Sequence, residues 1–292
     1  MSDTPAPSGA TRVLVIGSTG YLGRYVARSF AEAGYHVAAL QRPGGRPVDP
    51  RYPAVPGDLA DPASLRTAAE GFDLVVHAGR IEGEAEREGV EAILASGVRL
   101  IHTSGADVLG PGHTSEDTVP EPPRCVAWRA PVERAVRAGG GILVRPGLIY
   151  GDNGGVVPDQ LLPVAAALGA GLYYERRGIR WPAVHVADLA ELYPLVAEKA
   201  APGTAWNGVA ETITVDELAA ATGGGAAVCR PTTDNPPAEI ADIVELYVMD
   251  HEVSSERTRR ELGWRPKYLE AIAYLREECA AALAARGPRP VR

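Results

Sequence analysis

The sequence predicts an α/β fold: a doubly wound parallel sheet with a small C-terminal α/β cap. Three observations predict it. Short apolar runs alternate with helical patterns over residues 11–150. The first run breaks into glycines spaced G-x-x-G-x-x-G. Beyond residue 150 the alternation gives way to a loop and a set of smaller elements. Alternating strands and helices need crossover connections, hence parallel strands with helices on both faces.

Residues 11–24 read TRVLVIGSTGYLGR. Val13, Leu14, Val15 and Ile16 form an apolar run without polar alternation, the mark of a strand buried on both faces. Gly17 permits the tight turn out of that strand, Gly20 removes a Cβ where a diphosphate approaches the backbone, and Gly23 lets the next helix lie close on the sheet. YVARSFAEAG runs as a helix to its C-cap at Gly34. Its free N-terminal N–H groups face the phosphates. A strand before and a helix after distinguish this Rossmann signature from a chance run of glycines.

The second strand is His36–Leu40, followed by Gln41, Arg42 and the loop PGGRPVDP. Tyr52–Pro56 is a short third strand that ends in Gly57-Asp58-Leu59. Asp61 and Pro62 open the next helix as N-cap and first-turn proline. Residues 73–78 form a fourth strand, 84–96 a helix, 99–104 a fifth strand, 124–138 a helix and 141–145 a sixth strand. A loop at 151–160 leads to a helix at about 160–169, and 183–199 returns the chain to the sheet. Shorter helices start at Thr214 and Ser254, and a long helix covers 268–285. The expected domains are 11–150, with 182–207 returning to its sheet, and a substrate-binding cap built from 151–181 and 208–285. Flexible tails are expected at 1–10 and 286–292.

A hydrophobic content of 46% supplies a core for 292 residues, and a net charge of −8 argues against nucleic acid or an anionic membrane as the main partner. No window of 18 uninterrupted apolar residues suggests a membrane span. MSDTPAPSGA has neither a basic nor an apolar region of the secretory kind. Cys125, Cys229 and Cys279 form no CxxC, which fits a reduced, cytoplasmic setting. The six histidines show no ligand spacing, so no metal site is expected.

These residues resemble the extended short-chain dehydrogenase/reductase superfamily, the group of NAD(P)-dependent epimerases and dehydratases. IGSTGYLGR is similar to its cofactor fingerprint, GDLAD (57–61) to its adenine-contacting Asp-Leu, and VRPGLIYG (144–151) to the RPxxxYG after the sixth strand. VHVADLA (184–190) and LGWRPK (262–267) resemble its C-terminal markers. The resemblance implies cofactor contacts from Gly17, Ser18, Thr19, Gly20, Tyr21, Leu22, Gly23 and Arg24, and from Asp58, Leu59, His77, Ala78, Gly79, Thr103, Pro146 and Gly147.

The family's hydride chemistry normally uses a Ser or Thr, and a Tyr four residues before a Lys that lowers its pKa. Aligned on the family, Gly105 stands at the Ser/Thr place, Cys125 at the Tyr place and Arg129 at the Lys place. Independently of alignment, the chain has only two lysines, Lys199 and Lys267, preceded four residues earlier by Leu195 and Gly263, so no YxxxK exists. The resemblance is thus to an atypical member lacking the usual triad.

NAD-specific relatives carry an acid after the second strand; here Gln41 and Arg42 stand there. Arg42, with Arg24, is suited to a 2′-phosphate through charge-assisted hydrogen bonds, and NADPH is the expected cofactor. Both could equally be solvated surface arginines. Ser104 either binds a substrate oxygen or caps a loop. The N–H groups of Gly105 and Ala106 can polarise a carbonyl. Asp107 and His113 are candidates to line the substrate. Cys125 is either a thiol proton donor or a small packing residue, and Arg129 is a candidate to hold the nicotinamide ribose or the diphosphate. Tyr150, in the RPGLIYG segment, is read as lining the pocket, with a role as an acid the alternative; Tyr173, Trp181 and His185 are pocket candidates, with core packing the alternative reading.

Three functions remain open on this reading. The first is an NADPH-dependent ketoreductase acting on a small-molecule ketone by positioned hydride transfer, with aromatic polyketides of antibiotic pathways suggested by similar atypical members. The second is a non-enzymatic NADP(H)-responsive regulator. The third is an NAD-dependent sugar-nucleotide epimerase or dehydratase. The helices at 84–96 and 124–138 are a candidate homodimer interface, as in similar proteins.

Overall fold

A computed structural model describes residues 11–232 and 234–285; the tails expected to be flexible lie outside these. The central sheet is built from Arg12–Ile16 (β1), His36–Gln41 (β2), Ala54–Pro56 (β3), Leu74–His77 (β4), Arg99–Thr103 (β5), Ile142–Pro146 (β6) and Ala205–Gly208 (β7). These seven parallel strands run in the order β7-β6-β5-β4-β1-β2-β3. Strand order reverses at β1, which pairs with β2 on one side and β4 on the other, so the loop leaving β1 sits at the topological switch point. Val13, Leu14 and Val15 are completely buried, as the unbroken apolar run predicts.

Helices Tyr21–Glu32 (α1), Pro62–Ala69 (α2), Glu84–Leu94 (α3) and Arg129–Ala138 (α4) match the expected pattern. The Asp61 carboxylate caps α2 by accepting from the Ala63 and Ser64 N–H groups. The helix expected over 124–138 is divided. Residues Arg124–Val126 form a separate 3-10 turn, held where the Glu245 carboxylate accepts from Cys125 N–H and the Arg124 guanidinium.

The chain forms two compact units. The first comprises the residues up to Thr103 with Pro131–Leu143 and Tyr193–Thr204; the second comprises Ser104–Ala130, Val144–Leu192 and the residues from Ala205 onward. This differs from the expected boundary at 150. Residues beyond Thr103 enter the second unit because Gly112–Thr114 pairs in parallel with His251–Val253, a contact across most of the chain that local patterning cannot reveal.

Within the second unit Arg180–His185 lies between Glu211–Thr214 and Leu148–Tyr150 in a separate three-stranded sheet. It does not return to the central sheet as expected over 182–207; from that range β7 does. Gly147 makes the small sheet possible, because a Cβ there would lie 2.5 Å from the Pro182 carbonyl oxygen. Gly171–Tyr174 pairs with Ala227–Arg230, and the core beneath contains Tyr150, Tyr173, Tyr174, Trp181 and Leu275. The two C-terminal sequence markers meet here. The buried Asp188 carboxylate accepts from Lys267 N–H and Tyr268 N–H, and the Trp264 indole donates to the Asp188 carbonyl. The terminal helix begins at Ala271 rather than 268, since these residues are engaged with Asp188 and cannot join the helical ladder. Among the described residues no helix is long and apolar enough to cross a membrane.

Asp250 ties this unit together by accepting from the Arg180 backbone at 2.9 Å and from its guanidinium at 2.9 and 3.0 Å. Hydrogen bonding to Arg180 holds its carboxyl down at about 2, against an ordinary value of 3.8. The folded pKa lies below the unfolded one, so this contribution to stability is present above about pH 4 and is lost as pH falls toward 2. Because the pair is partly solvent-screened, Asp250→Asn is expected to cost on the order of 1 kcal/mol at pH 7. Urea unfolding at pH 7 and pH 3 should show the gap between variant and parent narrowing at the lower pH; an unchanged gap would contradict the assignment.

Candidate cofactor and active site

The glycine loop of the first unit has the geometry of a phosphate cradle. Gly17 has φ +85°, and a Cβ on it would lie 2.5 Å from the Gly79 nitrogen, where β1 and β4 end side by side. A Cβ on Gly23 would lie 2.5 Å from the Gly17 carbonyl carbon and closer still to its oxygen, so α1 can approach the loop only with glycine there. Gly20 N–H donates to Gly17 O at 2.9 Å, and Gly20 is the N-cap of α1 without a side-chain cap or an acidic first turn. The helix N-terminus therefore offers its N–H groups and positive dipole end to an anion. Ser18 is buried in the loop with a hydroxyl that has no protein partner. Ser18, Thr19, Tyr21 and Leu22 occupy the turn and first residues of α1, as expected. These residues fit a dinucleotide diphosphate.

The loop after β2 is organised by a residue with no expected role. The Gln41 amide donates to the carbonyls of Arg42 and Arg46 and accepts from Val48 N–H, closing the loop on itself. That closure brings Arg46, which the sequence reading missed, onto the glycine loop, where it donates to the Thr19 carbonyl at 3.2 Å. Arg42 is exposed in the same loop. Arg24 lies on the first turn of α1, its guanidinium over the Tyr25 ring at 5.1 Å. The sequence signal for Arg46 was the PGGR turn itself, since a Gly-rich reversal carries the fourth residue back toward its start.

Asp58 accepts from Ala60 N–H while its own N–H donates to Ser64 Oγ, which fixes the Asp58-Leu59 corner. A Cβ on Gly79 would lie 2.9 Å from Leu59 Cδ1, so Leu59 and the 78–79 backbone are neighbours as expected. His77 is different. Its side chain points into the interior toward Glu86, leaving only backbone at 77–79 to serve a ligand. Thr103 Oγ1 is 2.7 Å from the hydroxyl of the fully buried Tyr193, which engages Thr103 within the fold.

In the second unit Ser104 is buried; its N–H donates to Val144 O, and its hydroxyl has no partner among the described residues. Gly105 has extended backbone, and a Cβ there would run into the Asp107 carboxylate. The carboxylate thus fills the space that a serine or threonine side chain would take. Arg129 Nε lies 3.7 Å from Asp107 Oδ1, and its guanidinium stacks over Trp128 at 4.6 Å. Ala106 begins a 3-10 turn, Ala106–Leu109, capped by Gly105. The thiol of Cys125 is pushed up to about 11, by burial first and then by the Glu245 and Asp107 carboxylates, so it stays protonated at neutral pH. Pro146 is buried at the end of β6, and Gly147 serves the close approach of the small sheet.

Four expected pocket residues are core residues instead. Tyr150 has no exposure; its hydroxyl donates to Glu211 at 3.3 Å, and burial raises its pKa. His185 stacks on Tyr268 with ring centroids 3.8 Å apart. Trp181 donates from its indole to Leu246 O, and Tyr173 is buried in the same cluster. Their spacing suited a pocket wall and a core equally; the small sheet buries them. His113 is exposed and lies 3.2 Å from Glu252, on the short strand that pairs with His251–Val253.

Known proteins place this architecture. A family model described as "NAD dependent epimerase/dehydratase family" matches residues 13–207. The chain is similar to the "Uncharacterized protein YLL056C" of Saccharomyces cerevisiae, 25% identical over 91% of this chain and 98% of that protein. It is also similar to the ceramide reductase of Caulobacter vibrioides, 29% identical over 48% of this chain and 47% of that enzyme. Among solved structures, the UDP-glucose 4-epimerase of Thermus thermophilus in complex with NAD superposes with a TM-score of 0.71 at 20% identity, covering 93% of this chain and all of the other. The glycine cradle at the switch point and the match over two thirds of the sequence agree: the chain belongs to the NAD-dependent epimerase/dehydratase family.

Proposed function

We propose that the protein is an NADPH-dependent ketoreductase acting on a small-molecule ketone. The observation that carries this reading is the replacement at the reaction positions: a carboxylate, Asp107, fills the place of the hydroxyl residue, and Arg129 faces it from the place of the lysine. The phosphate cradle is retained. NADPH, when bound, would supply the hydride for reducing the ketone carbonyl. Arg46 and Arg42 would hold the 2′-phosphate, the α1 N-terminus would face the diphosphate, and Ser104 Oγ would orient the ketone oxygen. Asp107 accepts a hydrogen bond from a substrate hydroxyl. Positioning supplies much of the acceleration, so the missing tyrosine is tolerated when the substrate carries its own acidic proton. A phenol beside the ketone meets that need, which keeps aromatic polyketides as the favoured class. The likeness to a ceramide reductase over half the chain supports reduction as the reaction.

Calorimetric titration of cofactor-stripped protein tests the cofactor. NADPH should bind at least about tenfold tighter than NADH, and Arg46→Ala or Arg42→Ala should erase that preference while leaving NADH binding unchanged. Equal binding, or a preference for NADH, would favour the sugar-nucleotide reading.

Turnover tests the site. With 8-hydroxy-1-tetralone as probe, NADPH oxidation should exceed that with 1-tetralone, which lacks the phenol. Asp107→Asn should lower kcat/KM by about 10–100-fold with cofactor affinity intact, because a hydrogen bond to a charged group is lost. Cys125→Ala should retain most activity. Collapse of turnover in Cys125→Ala with cofactor binding preserved would make the thiol the proton donor.

A further inference from the structure

Linear spacing shows no metal-ligand pattern, yet the fold of the first unit gathers two histidines and a glutamate that the proposed reduction does not use. His77 closes β4 and His102 lies opposite it in register on β5. In-register neighbours on parallel strands project to the same face, and the two imidazole rings stand 5.2 Å apart. The first turn of α3 carries Glu86 over them. All three side chains are buried, at 1%, 3% and 3% exposure for His77, His102 and Glu86. Gly89 on the same helix lies 3.0 Å, measured from a Cβ position, from Leu65 of α2, so α3 is seated firmly enough to fix Glu86.

The distances discriminate between two interpretations. Glu86 Oε1 is 3.8 Å from His77 Nδ1 and 3.6 Å from His102 Nε2. Charge-assisted hydrogen bonds from imidazole to carboxylate are about 2.7–2.9 Å, so these are too long to be such bonds. Two metal–ligand bonds of about 2.0–2.1 Å meeting at 110–130° place their donor atoms about 3.4–3.8 Å apart, which is the observed spacing. The three donor atoms lie within 4.8 Å of one another, so the imidazoles need close by only on the order of 1 Å to share an ion. His77 Nδ1 is buried and has no hydrogen-bond partner among the described residues, although it is aimed into the cluster. A metal bond would give this buried imidazole nitrogen a partner. The second carboxylate oxygen accepts from Ile81 N–H at 3.3 Å, which orients Glu86 with Oε1 toward the histidines.

We propose that His77, Glu86 and His102 form a structural site for a divalent transition-metal ion, bound through two imidazoles and one carboxylate. Imidazole with carboxylate selects zinc and its first-row neighbours over calcium or magnesium, which prefer all-oxygen sets. The ion pins α3 to the paired ends of β4 and β5. The site is separate from the reduction proposed above, since none of its side chains has a role there.

Zinc titration of the full-length chain, stripped with a chelator and dialysed, tests the proposal. Calorimetry should give one Zn²⁺ per chain, and the thermal midpoint should rise on Zn²⁺ addition and fall again with chelator. Glu86→Gln and His102→Asn should each weaken Zn²⁺ binding at least about tenfold and remove the thermal rise, with NADPH affinity as the check that each variant is folded. Co²⁺ substitution in the unmodified protein provides a second readout that needs no variant. A visible d–d spectrum without a thiolate charge-transfer band fits the nitrogen and oxygen set, whereas a charge-transfer band assigns the metal to cysteine and overturns the proposal. Absence of stoichiometric Zn²⁺ binding, or binding untouched by both substitutions, overturns it as well.

Discussion

The first unit depends on one close approach. The carbonyl of Gly17 and the backbone of Gly23 are so near that no side chain fits between the loop and α1. The same Gly17 faces the 78–79 backbone with equal economy, and its positive φ is one that L side chains rarely adopt. Glycine at these positions therefore does more than loosen the chain. It sets the distance at which the α1 N-terminus stands from the strand ends, and that distance determines whether an anion meets N–H groups or methyl groups. The β2 loop is coupled to this geometry, because Arg46 is anchored on the carbonyl of Thr19 inside the same turn.

In the second unit, space and charge are coupled around residue 105. Removing the Cβ at position 105 creates a space, and the Asp107 side chain folds back to occupy it. A carboxylate so placed needs a counter-charge, and Arg129 is within 3.7 Å. Arginine suits this role better than lysine, since its planar guanidinium can stack on Trp128 while presenting nitrogen to the carboxylate. Gly105, Asp107 and Arg129 are thus coupled through space and charge.

Legibility followed the range of the interactions. The β1 run, the glycine spacing and the Asp61 cap are set by neighbours a few residues away, and each was readable from the chain alone. The VHVADLA and LGWRPK segments were recognisable as marks, but their physical meaning, Asp188 accepting from two backbone N–H groups at residues 267 and 268, appears only once distant segments meet. The strand at 112–114 and the placement of Arg180–His185 were not legible, because each is a pairing across long sequence separations. Tyr150, Trp181 and His185 were ambiguous for a different reason: aromatic residues serve a pocket wall and a core with the same pattern, and only the small sheet distinguishes them.

Charge also separates the direction of the chemistry. Oxidising a sugar hydroxyl requires a base that takes its proton as the hydride leaves, and the family's tyrosine is suited because a nearby lysine lowers its pKa. Cys125, which the family resemblance aligns with the tyrosine place, has a thiol pushed up to about 11, by burial first and then by the Glu245 and Asp107 carboxylates, the wrong direction for a base at neutral pH. Reduction makes the opposite demand, a proton delivered to a developing alkoxide, and a substrate with its own phenol supplies it without help from the chain. The proposed reduction therefore asks less of this thiol than an oxidation would, since it needs no base at Cys125.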